Sequence, residues 1–169
     1  MLFRSEGFVR GLRHKGFRFA GASCLVVGAG GVGSAIAVSL AQAGVARIAL
    51  HDTNSAAAEG LVARLARHFP RLQARSVSPD PAGYDLAVNA TPLGMSADHP
   101  LPLDAARLAP GTFVGEVVMS ESPTPLLRAA QERGCRIQAG TDMLYEQIPL
   151  YLDFFGFRGA TVEELREIS

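Results

Sequence analysis

The sequence predicts an α/β protein in which a doubly wound, mostly parallel sheet carries helices on both faces. Short apolar runs that suit buried strands alternate with longer segments of helical periodicity. The first apolar run, residues 23–28, is continuous, as expected for a strand buried on both faces of a parallel sheet. This run ends in glycines that lead directly into a helical segment, which is typical of the first turn of a doubly wound sheet.

The predicted elements fill one domain over residues 1–156, followed by a C-terminal tail at 157–169. An amphipathic helix at 6–15 precedes the first strand. Right-handed crossovers would place the functional loops at the carboxyl ends of the strands. Pro149 should kink the last helix, because proline lacks an N–H and its ring clashes in a helix interior. Five further strands are predicted at 46–50, 72–77, 85–89, 112–119 and 135–139, and four further helices at 32–43, 55–68, 124–133 and 143–155.

The composition excludes several classes of protein. Hydrophobic residues make up 48% of the chain, which is enough for a core, and the 16 basic and 16 acidic residues cancel. A neutral chain of this kind does not predict a nucleic-acid partner. No apolar run approaches the roughly 18 residues of a membrane span. Cys24 and Cys135 lack the spacing of a disulfide framework, so we expect two buried thiols in a cytoplasmic protein.

The glycine loop Gly28-Ala29-Gly30-Gly31-Val32-Gly33 matches the pattern G-x-G-x-x-G. Its position between a buried strand and a helix is that of a dinucleotide-binding, Rossmann-type turn. Gly28 would permit the tight turn, Gly30 would let the backbone approach a pyrophosphate, and Gly33 would let the helix pack against the strand. The helix N-terminus would offer N–H groups and a partial positive charge to the phosphates. The alternative is a glycine-rich turn that binds no ligand. Three glycines at these positions lower helix propensity, which is a cost that a turn without a ligand would not explain.

Asp52 lies just past the second predicted strand, about two dozen residues after Gly28. That is where an acid would bond the adenosine ribose hydroxyls, with Thr53 beside it in the cofactor site. A carboxylate would repel a 2′-phosphate, and no arginine stands at 51–55 to attract one, so NAD is favoured over NADP. The alternative is that Asp52 or Asn54 caps the next helix.

Four ordered segments of the chain resemble segments of one enzyme family. Residues 89–95, Asn-Ala-Thr-Pro-Leu-Gly-Met, resemble N-A/T-S/T-P/S-x-G-M, and residues 140–147 resemble G-x-x-M-L-x-x-Q. Glu116-Val-Val-Met119 with Thr124-Pro-Leu-Leu127 resembles D-V-V-Y followed by T-P-L-L, and residues 6–12 resemble the stretch before that family's glycine loop. The family is that of the shikimate/quinate dehydrogenases, in particular the shikimate dehydrogenase-like branch. The resemblance covers the C-terminal NAD(P)-binding domain of that family.

The resemblance implies a role for each matched position. The segment Asn89-Ala90-Thr91 would line the nicotinamide-ribose side of the cleft, or form a turn with local side-chain bonds. Val118 would belong to the same cofactor site. Met143 would pack near the nicotinamide ring, or be an ordinary core residue. Gln147 would donate to a substrate hydroxyl, or be a solvated helix residue.

The departures from the family concern its chemistry. The resemblance implies a catalytic Lys–Asp pair whose lysine lies in a preceding substrate domain, and we expect that domain to be absent here. Lys15, the only lysine, lies where the family has no catalytic lysine. The family's aspartate aligns near Arg4, with Glu6 as the nearest acid, and Met119 stands where the family usually has tyrosine. We therefore expect no catalytic residue within this chain.

Two functions remain open. In the first, the chain is the cofactor-binding domain of an NAD(P)-dependent oxidoreductase that transfers hydride between nicotinamide and a cyclic hydroxy acid. That acid would bind only with a substrate domain. In the second, it is a stand-alone dinucleotide-binding or assembly module without catalysis. The histidines and cysteines share no metal-ligand spacing, so no metal site is predicted. Without a substrate domain, the cleft would expose an apolar face made of Val117, Met119, Met143 and Leu144. An exposed apolar face of this kind would favour a homodimer.

Overall fold

The computed structural model describes residues 2–96, 98–120, 122–157, 159 and 161–167, with only the backbone of residues 2–4. Within these ranges six strands form one sheet in the order β3-β2-β1-β4-β5-β6, and all five strand pairings are parallel. The predicted doubly wound α/β class is therefore confirmed. The strands are β1 (Ser23–Val27), β2 (Arg47–His51), β3 (Gln73–Ser76), β4 (Leu86–Asn89), β5 (Phe113–Glu116) and β6 (Arg136–Gln138).

Helices connect the strands, and most lie close to their predicted positions. The exceptions are at the ends: the first helix already begins at Leu2, and the fifth begins at Gly140 and continues through Pro149. A short sixth helix lies in the predicted tail and packs against the fifth. The helices are α1 (Leu2–His14), α2 (Gly31–Gln42), α3 (Ser55–His68), α4 (Pro125–Glu132), α5 (Gly140–Phe154) and α6 (Val162–Glu167).

The core has two layers, one on each face of the sheet. All five residues of β1 are buried, which explains its continuous apolar sequence. Cys24 and Val26 face a cluster that includes residues of α1, α2 and α3, whereas Leu25 and Val27 face a cluster formed with α4. This central position of β1 fixes the glycine loop at its carboxyl end.

The two cysteines are free and buried, as predicted. Burial raises the pKa of both thiols and is the largest cause of the shift in each. Both thiols are therefore held in the neutral, unreactive form.

Across the part of the chain that the structure describes, no helix combines the length and the apolar character needed to cross a bilayer.

Candidate functional site

The glycine loop joins the carboxyl end of β1 to α2, next to the point where the strand order reverses between β1 and β4. Gly28 has a φ of +105°, and a Cβ on it would lie 2.9 Å from the carbonyl carbon and oxygen of Ala90. A Cβ on Gly33 would overlap the carbonyl oxygen of Gly28. The two glycines are therefore required for the turn and for the close packing of α2 on β1, as the sequence predicted.

The outer side of the loop is open. No described atom lies within 4 Å of a Cβ built on Gly30, which is exposed. Gly30 is also the N-cap residue of α2, and no side chain caps this helix. Gly31 is exposed beside it, and Val32 is half-buried against the core. The N–H groups of the first turn therefore face space that an anion could occupy.

Asp52 connects the end of β2 to the glycine loop. Its Oδ2 accepts a hydrogen bond from the Ala29 N–H at 2.7 Å, and its Oδ1 accepts from the Asn54 N–H at 2.9 Å. These two bonds, with smaller contributions from the charge of His51 and from the Thr53 side chain, lower the pKa of Asp52, so the carboxylate is ionised at neutral pH. Asn54 is the N-cap residue of α3 but makes no side-chain cap bond. The alternative that the Asn54 side chain caps this helix is therefore wrong, whereas Asp52 does bond to the N–H of the N-cap residue.

The loop that follows β4, residues 89–95, forms the opposite wall. Asn89 is fully buried, and its Oδ1 accepts from both the N–H and the hydroxyl of Thr91. Its Nδ2 donates to the carbonyl of Leu93 at 2.8 Å. The local turn considered from the sequence is thus present. It places Ala90 and Thr91 directly against Gly28.

The structure places the last three predicted site residues around the start of α5. Val118 is buried, and a Cβ on Gly140 would overlap its carbonyl group. Met143 is only 2% exposed and lies in the core, so its contact with a nicotinamide ring stays a prediction. Gln147 is 3% exposed, so the alternative of a solvated residue is wrong. Its Nε2 has no hydrogen-bond partner among the described residues.

Lys15 lies away from this group of residues. Its Nζ donates to Oδ2 of Asp142 at 2.6 Å and to the carbonyl of Ile137 at 3.1 Å. Arg166 of α6 also pairs with Asp142, at 3.0 Å. Gly7, which contacts Gln147, lies about two helical turns before Lys15. The lysine therefore links α1 to the start of α5 and the edge strand β6.

The two other positions that bear on catalysis lie near the start of α1, at the opposite end of the helix from Lys15. Glu6 forms an exposed ion pair with Arg10 at 3.0 Å, four residues along the same helix. The side chain of Arg4, near which the family's aspartate aligns, lies outside the described residues.

Sequence reasoning missed Glu116, the last residue of β5. Its side chain is 1% exposed and accepts a hydrogen bond from the Thr124 hydroxyl. Burial raises the pKa of this carboxyl to about 7, although the Thr124 and Asn89 side chains act in the opposite direction. The sequence signals were a single acid at the end of an apolar run and its match to the first residue of the family's D-V-V-Y segment, to which no role had been assigned.

The expected apolar face is smaller than predicted. Met119 and Leu144 are 49% and 41% exposed, and Val117 is partly buried. Met143 does not belong to this face, because it is enclosed by the core. The homodimer expected from the face stays a prediction.

Comparisons with known proteins agree with this geometry. A family model described as the ThiF family matches residues 16–63, which include β1, α2 and β2. The shikimate dehydrogenase (NADP(+)) of Acidiphilium cryptum is 40% identical over 156 residues, covering 89% of this chain and 54% of that protein. The quinate/shikimate dehydrogenase (NAD(+)) of Corynebacterium efficiens is 39% identical, over 83% of this chain and 51% of that protein.

Solved structures give the same result. The quinate dehydrogenase from Corynebacterium glutamicum in complex with NAD superposes with a TM-score of 0.83 at 31% identity, covering 97% of this chain and 60% of that one. The shikimate 5-dehydrogenase from Listeria monocytogenes in complex with shikimate and NAD gives 0.88 at 26% identity, over 98% and 62% of the two chains.

The chain spans about half the length of the curated relatives it matches. The matched half is their C-terminal portion. The resemblance read from four sequence segments is confirmed. Over most of its length the chain is homologous to the C-terminal portion of shikimate/quinate dehydrogenases.

Proposed function

We propose that the chain binds a nicotinamide dinucleotide across the carboxyl ends of β1, β2, β4 and β5. In this role it is the cofactor-binding domain of a shikimate dehydrogenase-like oxidoreductase, which transfers hydride between nicotinamide and a cyclic hydroxy acid. The observation that carries the proposal is the open space over Gly30 at the uncapped N-terminus of α2. The printed activities of the relatives support the reaction class.

Each part of the cofactor has a supporting feature. The pyrophosphate would lie on the N–H groups at the start of α2. The adenosine ribose would bond to Asp52, whose oxygens retain lone pairs beyond their two backbone bonds. The nicotinamide ribose would lie against the segment Asn89-Ala90-Thr91 and Val118, with the ring near Met143. The unpartnered Nε2 of Gln147 supports a bond to a substrate hydroxyl, because a buried amide without a partner is costly.

Gly30→Val should abolish dinucleotide binding and leave the fold intact. Gly30 has a φ of −69°, which valine also adopts, and the added side chain would fill the space proposed for the pyrophosphate. Calorimetric titration with NAD and a thermal melt would measure the two effects. Gly60→Val in α3 is the control, since it lies outside the site. A Gly30→Val protein that binds NAD normally would place the cofactor elsewhere.

NAD should bind more tightly than NADP, by about tenfold if repulsion of the 2′-phosphate by Asp52 amounts to roughly 1.4 kcal/mol. Asp52→Ala should narrow this difference, but it would also remove the acceptor for the Ala29 N–H. Asp52→Asn separates the two effects, because an amide oxygen still accepts that bond without carrying charge. Titration of all three proteins with both cofactors tests the preference. Equal or tighter NADP binding by the unmodified chain would rule it out.

A second candidate function is a dinucleotide-binding or assembly module without turnover. The engagement of Lys15 by Asp142 favours it, because the chain has no other lysine. The hydroxy acid would then be a ligand only where a substrate domain accompanies this chain. Turnover measurements distinguish the two candidates.

A further inference from the structure

Glu116 occupies a central position among the loops at the carboxyl edge of the sheet. It ends β5 directly opposite Asn89, the last residue of β4, in the parallel register. Its side chain is buried, accepts a hydrogen bond from the Thr124 hydroxyl, and is influenced by Asn89, which lowers the pKa of the carboxyl. Buried polar groups of this kind hold their partners in defined positions, because each lost bond leaves a group unsatisfied.

The first partner is Thr124, the N-cap residue of α4. Its hydroxyl donates to Oε2 of Glu116 at 3.0 Å and accepts from the Leu127 N–H at 3.3 Å. The methyl side of Thr124 faces the 89–95 loop, since Cβ and Cγ2 lie 3.6 and 3.7 Å from a Cβ built on Gly94. The bond to Glu116 therefore fixes the threonine that supports this loop.

The second partner is Asn89. Its side chain acts on Glu116, where it lowers the pKa of the carboxyl. Its Nδ2 donates to the Leu93 carbonyl, and its Oδ1 accepts both bonds from Thr91. The orientation of this amide thus determines the shape of the 89–95 loop. The loop in turn contacts Gly28, so the bonds of Glu116 extend to the wall of the proposed cofactor cleft.

We propose that Glu116 is a positioning residue for the nicotinamide half of the cofactor site and acts through Asn89 and Thr124. The inference rests on the proposed function, because it requires a dinucleotide in the cleft. Glu116 itself does not touch the ligand. Its effect is limited to the 89–95 loop, whereas the adenosine half depends on the glycine loop and Asp52.

The test compares NADH with ADP, which carries the adenosine and pyrophosphate but no nicotinamide riboside. The variants are Glu116→Leu, which removes both acceptor oxygens, and Thr124→Val, which removes the hydroxyl that donates to Glu116. Each variant should weaken NADH binding about fivefold, the effect of one hydrogen bond, and leave ADP binding within about twofold. NADH fluorescence reports the nicotinamide environment, and the chain contains no tryptophan to interfere.

Two controls separate positioning from general loss of structure. Thr112→Val removes the hydroxyl of another buried threonine, at the opposite end of β5, and should bind NADH like the unmodified chain. The double variant should bind NADH no more weakly than the weaker-binding single variant does, because both changes break the same bond. If the unmodified chain binds both ligands, the inference would be overturned by variants that lose affinity for NADH and ADP equally. Variants that lose affinity for neither ligand would also overturn it. An unmodified chain that binds neither ligand would overturn the proposed function and the inference with it.

Discussion

Glu116→Gln should make the chain more stable than the unmodified protein at pH 8 and should flatten the dependence of its stability on pH. Burial raises the pKa of the Glu116 carboxyl from 4.5 to about 7. Between these values the native state keeps the proton and the unfolded state has lost it. The free energy of unfolding of the unmodified chain therefore falls as the pH rises through this window, by at most about 3 kcal/mol, and is level above it. Glutamine has no proton to lose.

Urea unfolding of both proteins from pH 5 to pH 8 measures this difference. Asp52 and Asp85 have lowered pKa values, so they change the free energy of unfolding only at a pH below the usual pKa of 3.8 for aspartate. They therefore do not contribute to the slope between pH 5 and pH 8. Glu132→Gln, at an exposed position in α4, is the matched control and should leave the slope unchanged. The same slope for the Glu116→Gln variant and the unmodified chain would show that Glu116 is ionised in the native protein.

The purified 169-residue chain should not oxidise shikimate or quinate at a useful rate. Oxidation of a secondary alcohol requires removal of the hydroxyl proton as the hydride leaves. A positioned base contributes typically 10²–10⁴-fold to such a step, and positioning of the substrate contributes up to about 7–11 kcal/mol more. The one lysine of the chain, Lys15, is paired with Asp142. It lies about two helical turns from Gly7, which is the residue that contacts Gln147. The place of the family's aspartate falls near Arg4.

Formation of NADH with shikimate and with quinate tests this expectation. Gln147→Ala and Lys15→Met identify the source of any activity. Turnover that is lost on Gln147→Ala would show that the chain contains its own catalytic group. Turnover that is lost on Lys15→Met would identify the Lys15–Asp142 pair as that group.

The parts of the fold that depend on local sequence were predictable. The apolar run of β1 and the spacing of Gly28 and Gly33 are local features, and the structure shows the same turn. The ends of elements were less predictable. The fifth strand ends at Glu116 and not at residue 119, because the chain leaves the ladder there to build the loops of the site. The start of α5 at Gly140 depends on close packing against Val118, which periodicity does not reveal.

The candidate site was predictable as a set of positions but not as a set of contacts. Asp52 was found from its distance to the glycine loop, yet its bond to Ala29 depends on how β2 lies beside β1. Burial of Gln147 depends on the packing of α1 against α5, where Gly7 allows the close approach. Glu116 was missed because its partners, Asn89 and Thr124, come from separate parts of the chain.

The proposed cofactor site can be tested most directly by titrating the isotope-labelled chain with NAD and following its backbone amide signals by nuclear magnetic resonance. Binding across the carboxyl ends of the strands should shift the amides of residues 28–33, 52–54 and 89–91. A cavity of about 650 Å³ lies at the opposite edge of the sheet and is lined in part by Phe17, Tyr84 and Arg136. Shifts confined to that edge, or no shifts at saturating NAD, would contradict a dinucleotide site at the glycine loop.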